Sequence, residues 1–399
     1  MNQRRSPRNR LPTEPVRLEI TALNREGRGI GQVNGKLGLV DGALPDEVVT
    51  ASVVCRRSQF DELRVMEIER VSCNRINPLC QIADHCGGCS LQHLEPAAQL
   101  QFKQDLLIEQ LQETAGIAAT GFTLLPPIQG DSFRYRRKAR LAVRRVMQRG
   151  GALVGFREKY SRFITDMNDC LVLVPEAGRL IGPLREMISA LQANRDIPQV
   201  EVAVGETRTA AGISNVVALI IRHFKPFSGD DLQLLTDFGK QQAIQLYLQP
   251  SGVDSVHKLF PESTKDRLQY FLPEFDLSLN FHPMDFTQIN AEINRQMVRQ
   301  AIDLLELVKD DMVLDLFCGL GNFTLAIARY CKQVIGIESS DAMVQRGTEN
   351  AEHNKIANAQ FYKADLCDSK MDSAWLSMPF TKVLLDPPRS GAIEIIQQI

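Results

Sequence analysis

The stretch VLDLFCGLGNFTLAIA, residues 313–328, decides how the last third of this sequence folds. Val313 to Leu316 form an apolar run broken only by Asp315, which reads as a short buried strand. Gly319 and Gly321 follow at once, and a helix begins near Thr324. Glycines between a strand and a helix let the backbone approach a ligand that side chains would block. A dinucleotide loop reads G-x-G-x-x-G, but the third glycine position here is Thr324. Asp315 stands four residues before the first glycine, and Glu338 closes the next strand. That arrangement suits the nucleoside half of S-adenosylmethionine better than a pyrophosphate, because a carboxylate at the second strand's end accepts hydrogen bonds from both ribose hydroxyls. An ordinary strand-to-helix turn is the plainer alternative.

The surrounding sequence continues the pattern. QVIGIE, AQFYKAD and KVLLD are apolar strands separated by helical segments, the alternation of a parallel α/β sheet. Asp365 ends the third strand and could accept from an adenine amino group, while Asp386 ends the fourth. Two prolines after Asp386 fix the chain as it leaves the sheet, holding that carboxylate rigidly. A helix is expected over about 290–307, and a helix in EPAAQLQFKQDLLIEQLQETAG carries Leu100, Leu107 and Leu111 on one face, with Pro96 in its first turn and Gly116 as its stop.

At 399 residues the chain has room for two or three domains. Its 44% hydrophobic and 24% charged content is that of a globular protein, and a net charge of -2 makes no whole-molecule case for nucleic acid. No run of 18 apolar residues occurs, and the start MNQRRSPRNR, with four arginines, lacks the apolar region of an export signal. A cytoplasmic protein, with no membrane association and no implied protein partner, is expected. Residues 1–14 read as a disordered basic arm. Between Val16 and about Val71, short alternating runs broken by glycines suggest a small barrel. Residues 131–270 mix strands and helices as an α+β domain.

Nine cysteines in a chain without an export signal argue against a disulfide framework. In LCQIADHCGGCSLQH, Cys80, Cys86 and Cys89 are separated by five and two residues. Three thiolates so spaced can converge on one metal centre. His93 would complete a zinc site; the more distant Cys170 would complete an all-thiolate iron-sulfur site. In FRYRRKARLAVRRVMQR eight basic residues and no acid lie between Arg134 and Arg149. As a strand, it places Arg136, Lys138, Arg140 and Arg144 on one face and Ala139, Leu141 and Val143 on the other, so one face is core and the other a cationic rail for phosphates.

The stretches FHPMDFTQIN, LDLFCGLGNF, VIGIE and LLDPPRSG resemble those of the uracil-5 RNA methyltransferases, a class I family, and in particular its ribosomal RNA branch with an amino-terminal TRAM barrel. Matched residue by residue, the resemblance implies that Gln288, Phe317, Asn322, Glu338, Asp365 and Asp386 line S-adenosylmethionine. Asp365 stands where one branch of the family has asparagine. The resemblance also implies a [4Fe-4S] cluster on Cys80, Cys86, Cys89 and Cys170, and 23S ribosomal RNA as partner. The expected class is thus multidomain α/β. Residues 15–71 form an OB-like TRAM barrel, 72–94 and 125–270 a central iron-sulfur and RNA-binding domain, and 95–124 and 271–399 a Rossmann-like class I methyltransferase domain.

In this family a thiolate adds to carbon 6 of uracil, the enolate takes the methyl group at carbon 5, and a base removes the carbon 5 proton. The target base must be splayed from its stack. The family's nucleophile lies in an SCNP stretch after the DPPR segment, and no such stretch occurs here. The nucleophile and the base are therefore expected beyond Ile399, which makes the methyltransferase domain incomplete and the 399-residue chain inactive in methyl transfer. A non-catalytic RNA-binding protein on the same scaffold, with an iron-sulfur or zinc site, is the rival reading.

Overall fold

The computed structural model describes residues 14–146, 151–262, 266–368 and 374–399. Nearly all of the basic arm expected at 1–14, and Arg149 of the basic stretch, lie outside the described residues. The chain forms two compact units, residues 1–126 with 156–165, and residues 127–155 with 166–399.

In the first unit, β1 (Val16–Glu19), β2 (Ala22–Leu23), β3 (Gly29–Val33), β4 (Lys36–Asp41), β5 (Val48–Arg56) and β6 (Phe60–Arg70) make one sheet in the order β1-β5-β6-β4-β3-β2. The sheet curls on itself. A Cβ on Gly31 in β3 would lie 2.7 Å from the Glu19 carbonyl and 2.8 Å from Leu18 in β1, so only glycine permits that approach. Alternation puts Leu18, Val33, Val40, Val49, Ala51 and Leu63 inside. Helix α1 (Pro96–Glu113) starts where expected: Pro96 occupies the first turn and the Glu95 carboxylate accepts from Ala98 N–H at 3.0 Å. Gly116 takes a φ of +66° just past its end. None of the residues of α1 is buried: Leu100 and Leu111 of its apolar stripe are half-buried and Leu107 is 52% exposed.

The second unit begins with β7 (Lys138–Val146) and β8 (Gly151–Gly155), then α2 (Pro175–Gly178) and α3 (Ile181–Ala190). They are followed by β9 (Gln199–Thr209), β10 (Gly212–Arg222), α4 (Gly229–Gln242), β11 (Gln245–Gln249) and β12 (His257–Phe260). These strands form a mixed sheet in the order β12-β11-β10-β9-β7-β8. A hairpin of β13 (Leu268–Leu272) and β14 (Leu277–Phe281) leads to α5 (Ala291–Leu305), capped by Asn290 accepting from Ile293 N–H at 3.2 Å. Then β15 (Met312–Leu316), α6 (Thr324–Ala328), β16 (Gln333–Glu338), α7 (Asp341–His353), β17 (Ala359–Lys363), β18 (Lys382–Leu385) and α8 (Ile393–Ile396) complete the chain. The last four strands are parallel and lie in the order β17-β16-β15-β18, as the alternating apolar runs require. The chain turns from one side of β15 to the other between β17 and β18, so a switch point opens beside the carboxyl end of β15.

One ring organises this sheet's packing. Phe361 of β17 lies against Gly336 of β16, Gly321 of the loop and Gly347 of α7, and a Cβ on Gly347 would sit 2.5 Å from it. The ring also meets the other two glycines, where added Cβ atoms would lie only 3.0 and 3.1 Å away. Gly347→Ala should therefore destabilise the second unit by roughly 1–3 kcal/mol. The urea midpoint checks this, and an unchanged midpoint would show that the ring has room.

Candidate functional site

The glycine loop sits at the carboxyl ends of β15 and β16. Phe317, Gly319 and Gly321 all have positive φ, at 63°, 58° and 95°, which turns the chain sharply off the strand. Cys318 N–H donates to the Ile337 carbonyl at 3.0 Å, tying the loop to the neighbouring strand. Glu338, at the end of β16, secures it further. One carboxylate oxygen accepts from Gly319 N–H at 3.2 Å; the other accepts from Ser339 N–H at 2.8 Å, the Ser339 hydroxyl at 3.0 Å and Ser340 N–H at 3.1 Å. The oxygen bonded to Gly319 keeps a lone pair for a further donor.

Asp315 lies beneath the loop, 1% exposed. Its Oδ2 accepts from the Thr324 hydroxyl at 2.6 Å, while Oδ1 is buried with no partner. Burial pushes its carboxyl up to about 7, opposed by the Thr324 hydrogen bond and reinforced by the charge of Asp386. Asp386 leaves β18 on the other side of β15, and burial raises its carboxyl too. Asp365 is exposed, with Oδ1 accepting from Cys367 N–H at 3.0 Å. Gln288 lines a small cavity with Arg137, Thr287, Tyr270 and Asn294. Positive-φ glycines, an unpartnered buried carboxylate oxygen and an oriented acid at the second strand's end suit the nucleoside and amino groups of S-adenosylmethionine.

Asn350 escaped sequence reasoning, and Asn322, expected to line the cofactor, has its amide engaged by neighbouring elements. Asn350 of α7, fully buried, donates to the Leu320 carbonyl at 3.2 Å and the Asn280 carbonyl at 3.1 Å, and accepts from Asn280 N–H at 2.8 Å. It clamps the glycine loop to β14. The only sequence signal is a pair of asparagines, Asn350 and Asn354, one turn apart on one helix face. Asn322 exchanges amide hydrogen bonds with Asn294 at 2.9 and 3.0 Å, and accepts from the Tyr270 hydroxyl at 2.9 Å. Its side chain thus fastens the loop to α5 and β13.

The basic strand divides. Ala139, Leu141 and Val143 are buried, while Arg140 and Arg144 are exposed. Arg140 pairs with Glu201 of β9 at 3.1 Å, an acid that sequence adjacency could not show. Lys138 turns inward, its ammonium donating to the Asp285 carbonyl, and burial pulls its pKa down. Arg136 precedes the strand and donates to the Lys138 carbonyl at 2.8 Å. Cys80, Cys86 and Cys89 lie on a loop of the first unit, Cys170 in the second. Among the described residues no group of three or more His, Cys, Asp or Glu side chains is placed to hold a metal ion.

A parallel sheet with a glycine loop and acids at its carboxyl edge is the architecture of class I methyltransferases, and the comparisons agree. The family model for tRNA (uracil-5-)-methyltransferases matches residues 274–398. The chain is 42% identical over 395 residues to the 23S rRNA (uracil(1939)-C(5))-methyltransferase RlmD of Xanthomonas campestris pv. campestris, covering 98% of this chain and 86% of that protein. It is 43% identical over 397 residues to the protein of the same name in Hahella chejuensis, with the same coverage. The structure of Pyrococcus abyssi tRNA (uracil-54, C5)-methyltransferase in complex with S-adenosyl-L-homocysteine superposes with a TM-score of 0.69 at 22% identity, covering 96% of this chain and 87% of that one, a likeness of fold. The protein is a methyltransferase, and the chain belongs to the 23S rRNA uracil-C5 methyltransferase family.

The buried carboxyl of Asp315 has a measurable consequence. Between about pH 4 and pH 7 the folded chain keeps a proton on Asp315 that the unfolded chain has released. Its stabilising contribution is therefore complete below the ordinary carboxylate range and is lost as pH rises through about 7, at roughly 1.4 kcal/mol per pH unit. Asp315→Asn, which stays neutral, should gain on the wild type as pH rises from 5 to 8 in urea melts. Parallel pH profiles would contradict this assignment.

Proposed function

We propose that the protein methylates carbon 5 of a uridine in 23S rRNA, the uridine equivalent to that in the names of its RlmD relatives, and that it works in the cytosol. The observation that carries this is the glycine loop held by Glu338 at the switch point, in a chain 42% identical to such enzymes over nearly its whole length. S-adenosylmethionine supplies an electrophilic methyl group on sulfonium when bound. Glu338 orients the ribose and Asp365 takes the adenine amino group. Gln288 and Phe317 complete the lining, and Asn322 keeps the loop in place. Asp386 stands beside the reacting end, on the rigid turn made by Pro387 and Pro388. Arg140 and Arg144 of the exposed strand face contact RNA phosphates, while Arg136 holds the strand's own backbone and Lys138 the Asp285 carbonyl.

Cys318 and Cys331 are not the thiolate that adds to carbon 6. Burial holds the Cys318 thiol well above its usual pKa and pushes Cys331 up to about 11, so neither is a ready thiolate. The test has two parts. Titration calorimetry should show saturable S-adenosylmethionine binding, weakened roughly tenfold or more by Glu338→Ala, which removes charged hydrogen-bond partners; absence of binding contradicts the reading. With methyl-labelled cofactor and unmodified 23S rRNA, label should appear at carbon 5 of a uridine; no label, or label on another atom, would contradict the reaction class.

The [4Fe-4S] cluster on Cys80, Cys86, Cys89 and Cys170 is likewise our proposal, resting on thiolate spacing and on the family resemblance. Gly88 N–H donates to Cys86 Sγ at 3.5 Å, a hydrogen bond of the kind that steadies a ligating sulfur. Protein prepared without oxygen should be brown and hold iron near four per chain. Cys170→Ala should lose that iron and His93→Ala should not. Colourless protein with one zinc would contradict the cluster.

A further inference from the structure

The hairpin of residues 156–165 belongs to the first unit, although its flanks belong to the second. It is closed by Thr165 N–H to the Phe156 carbonyl at 2.9 Å and by Glu158 N–H to the Phe163 carbonyl at 3.0 Å. The cysteine loop grips one side: Gly87 N–H donates to the Arg157 carbonyl at 2.9 Å, and Lys159 N–H to the His85 carbonyl at 2.8 Å. A Cβ on Gly87 would lie 2.8 Å from the Arg157 carbonyl, so that grip requires glycine. The curled sheet holds the other side, with Arg64 donating to the Lys159 carbonyl at 3.3 Å and Lys159 pairing with Asp41 at 3.6 Å. The tip is thus a braced platform.

What this platform displays is unusual. Its exposed side chains are Arg157, Tyr160, Arg162 and Phe163, two cations and two aromatics with no acid among them. Phe163 is 59% exposed and Tyr160 40%. The guanidinium groups of Arg28 and Arg64 lie 5.3 and 5.5 Å from the centre of the Tyr160 ring, which fixes the ring in position. Beside it opens a cavity of about 530 Å³ lined by Glu26, Arg28, Asp41, Phe156 and Lys159, a size within the small-ligand range. The cavity's cations are matched by acids, Arg28 by Glu26 at 3.0 Å and Lys159 by Asp41, so it is no phosphate trap. It offers stacking faces and hydrogen-bonding groups, and the arginines of the tip stand ready for flanking phosphates.

A fixed tyrosine and an exposed phenylalanine, beside tip arginines that pair with no acid among the described residues, match an unpaired nucleotide, whose base is free to stack, and not a duplex, whose bases are already stacked. We infer that the Phe156–Thr165 hairpin and its adjoining cavity bind a single-stranded RNA nucleotide, a contact that selects substrates by an unpaired base. This rests on the RNA-substrate reading above.

The experiment measures binding of the 399-residue chain to a fluorescent mixed-sequence single-stranded RNA 12-mer and to its duplex. Tyr160→Ala and Phe163→Ala should each weaken single-strand binding by about five- to a hundredfold, leaving duplex binding and S-adenosylmethionine binding unchanged. Tyr160→Phe should retain affinity. If Tyr160→Ala does not fold, Phe163→Ala carries the test alone, since its side chain lies largely in solvent. Wild-type binding with unaffected variants overturns this inference and leaves the proposed function standing; no RNA binding by the wild type overturns both.

Discussion

The second unit's site depends on one hydrogen bond across two parallel strands, Gly319 N–H to the Glu338 carboxylate at 3.2 Å. It ties the loop after β15 to the end of β16 and so gives the candidate site a fixed geometry. Register does the rest. β15 and β16 pair Leu316 with Ile337, so Phe317 and Glu338 leave the sheet side by side. The neighbouring backbone bond from Cys318 to the Ile337 carbonyl removes the remaining freedom. A loop fixed by its own sheet presents oriented donors and acceptors before any ligand arrives, which lowers the entropic cost of binding.

Buried charge stiffens the same unit. Glu206 of β9, without exposed side-chain surface, pairs with Arg295 of α5 at 2.7 Å and with Arg137, just before β7, at 3.0 Å. It also accepts from Phe271 N–H of β13 at 2.8 Å, while Arg295 donates to the Phe271 carbonyl at 3.2 Å. Removing either arginine would leave a buried carboxylate short of its compensation, an effect of several kcal/mol. The network joins the mixed sheet to the helix that precedes the glycine loop. Arg137 also lines the cavity next to Gln288, so this ionic joint borders the residues assigned to the cofactor.

Sequence reading succeeded where chemistry is local and periodic. Four apolar strands, the helix after Asn290, the helix at Pro96 and the carboxyl-edge position of the acids were all legible, because strand period, caps and glycines are properties of neighbouring residues. It fell short where partners come from afar. Glu201 faces Arg140 only because β9 pairs with β7, and Lys138 turns inward only because the Asp285 carbonyl offers it an acceptor. Asn350 and Asn322 likewise act through residues on other elements. The bracing of the 156–165 hairpin by the cysteine loop and the curled sheet is likewise a tertiary fact that neighbouring residues do not carry.

The most direct measurement of the central claim is a crystal structure of the chain with S-adenosylhomocysteine. A nucleoside is expected at the carboxyl ends of β15 and β16, with a ribose hydroxyl within hydrogen-bonding distance of the Glu338 carboxylate and the Gly319–Glu338 bond intact. A nucleoside bound elsewhere, or a glycine loop that rearranges and releases Glu338 on binding, would contradict it.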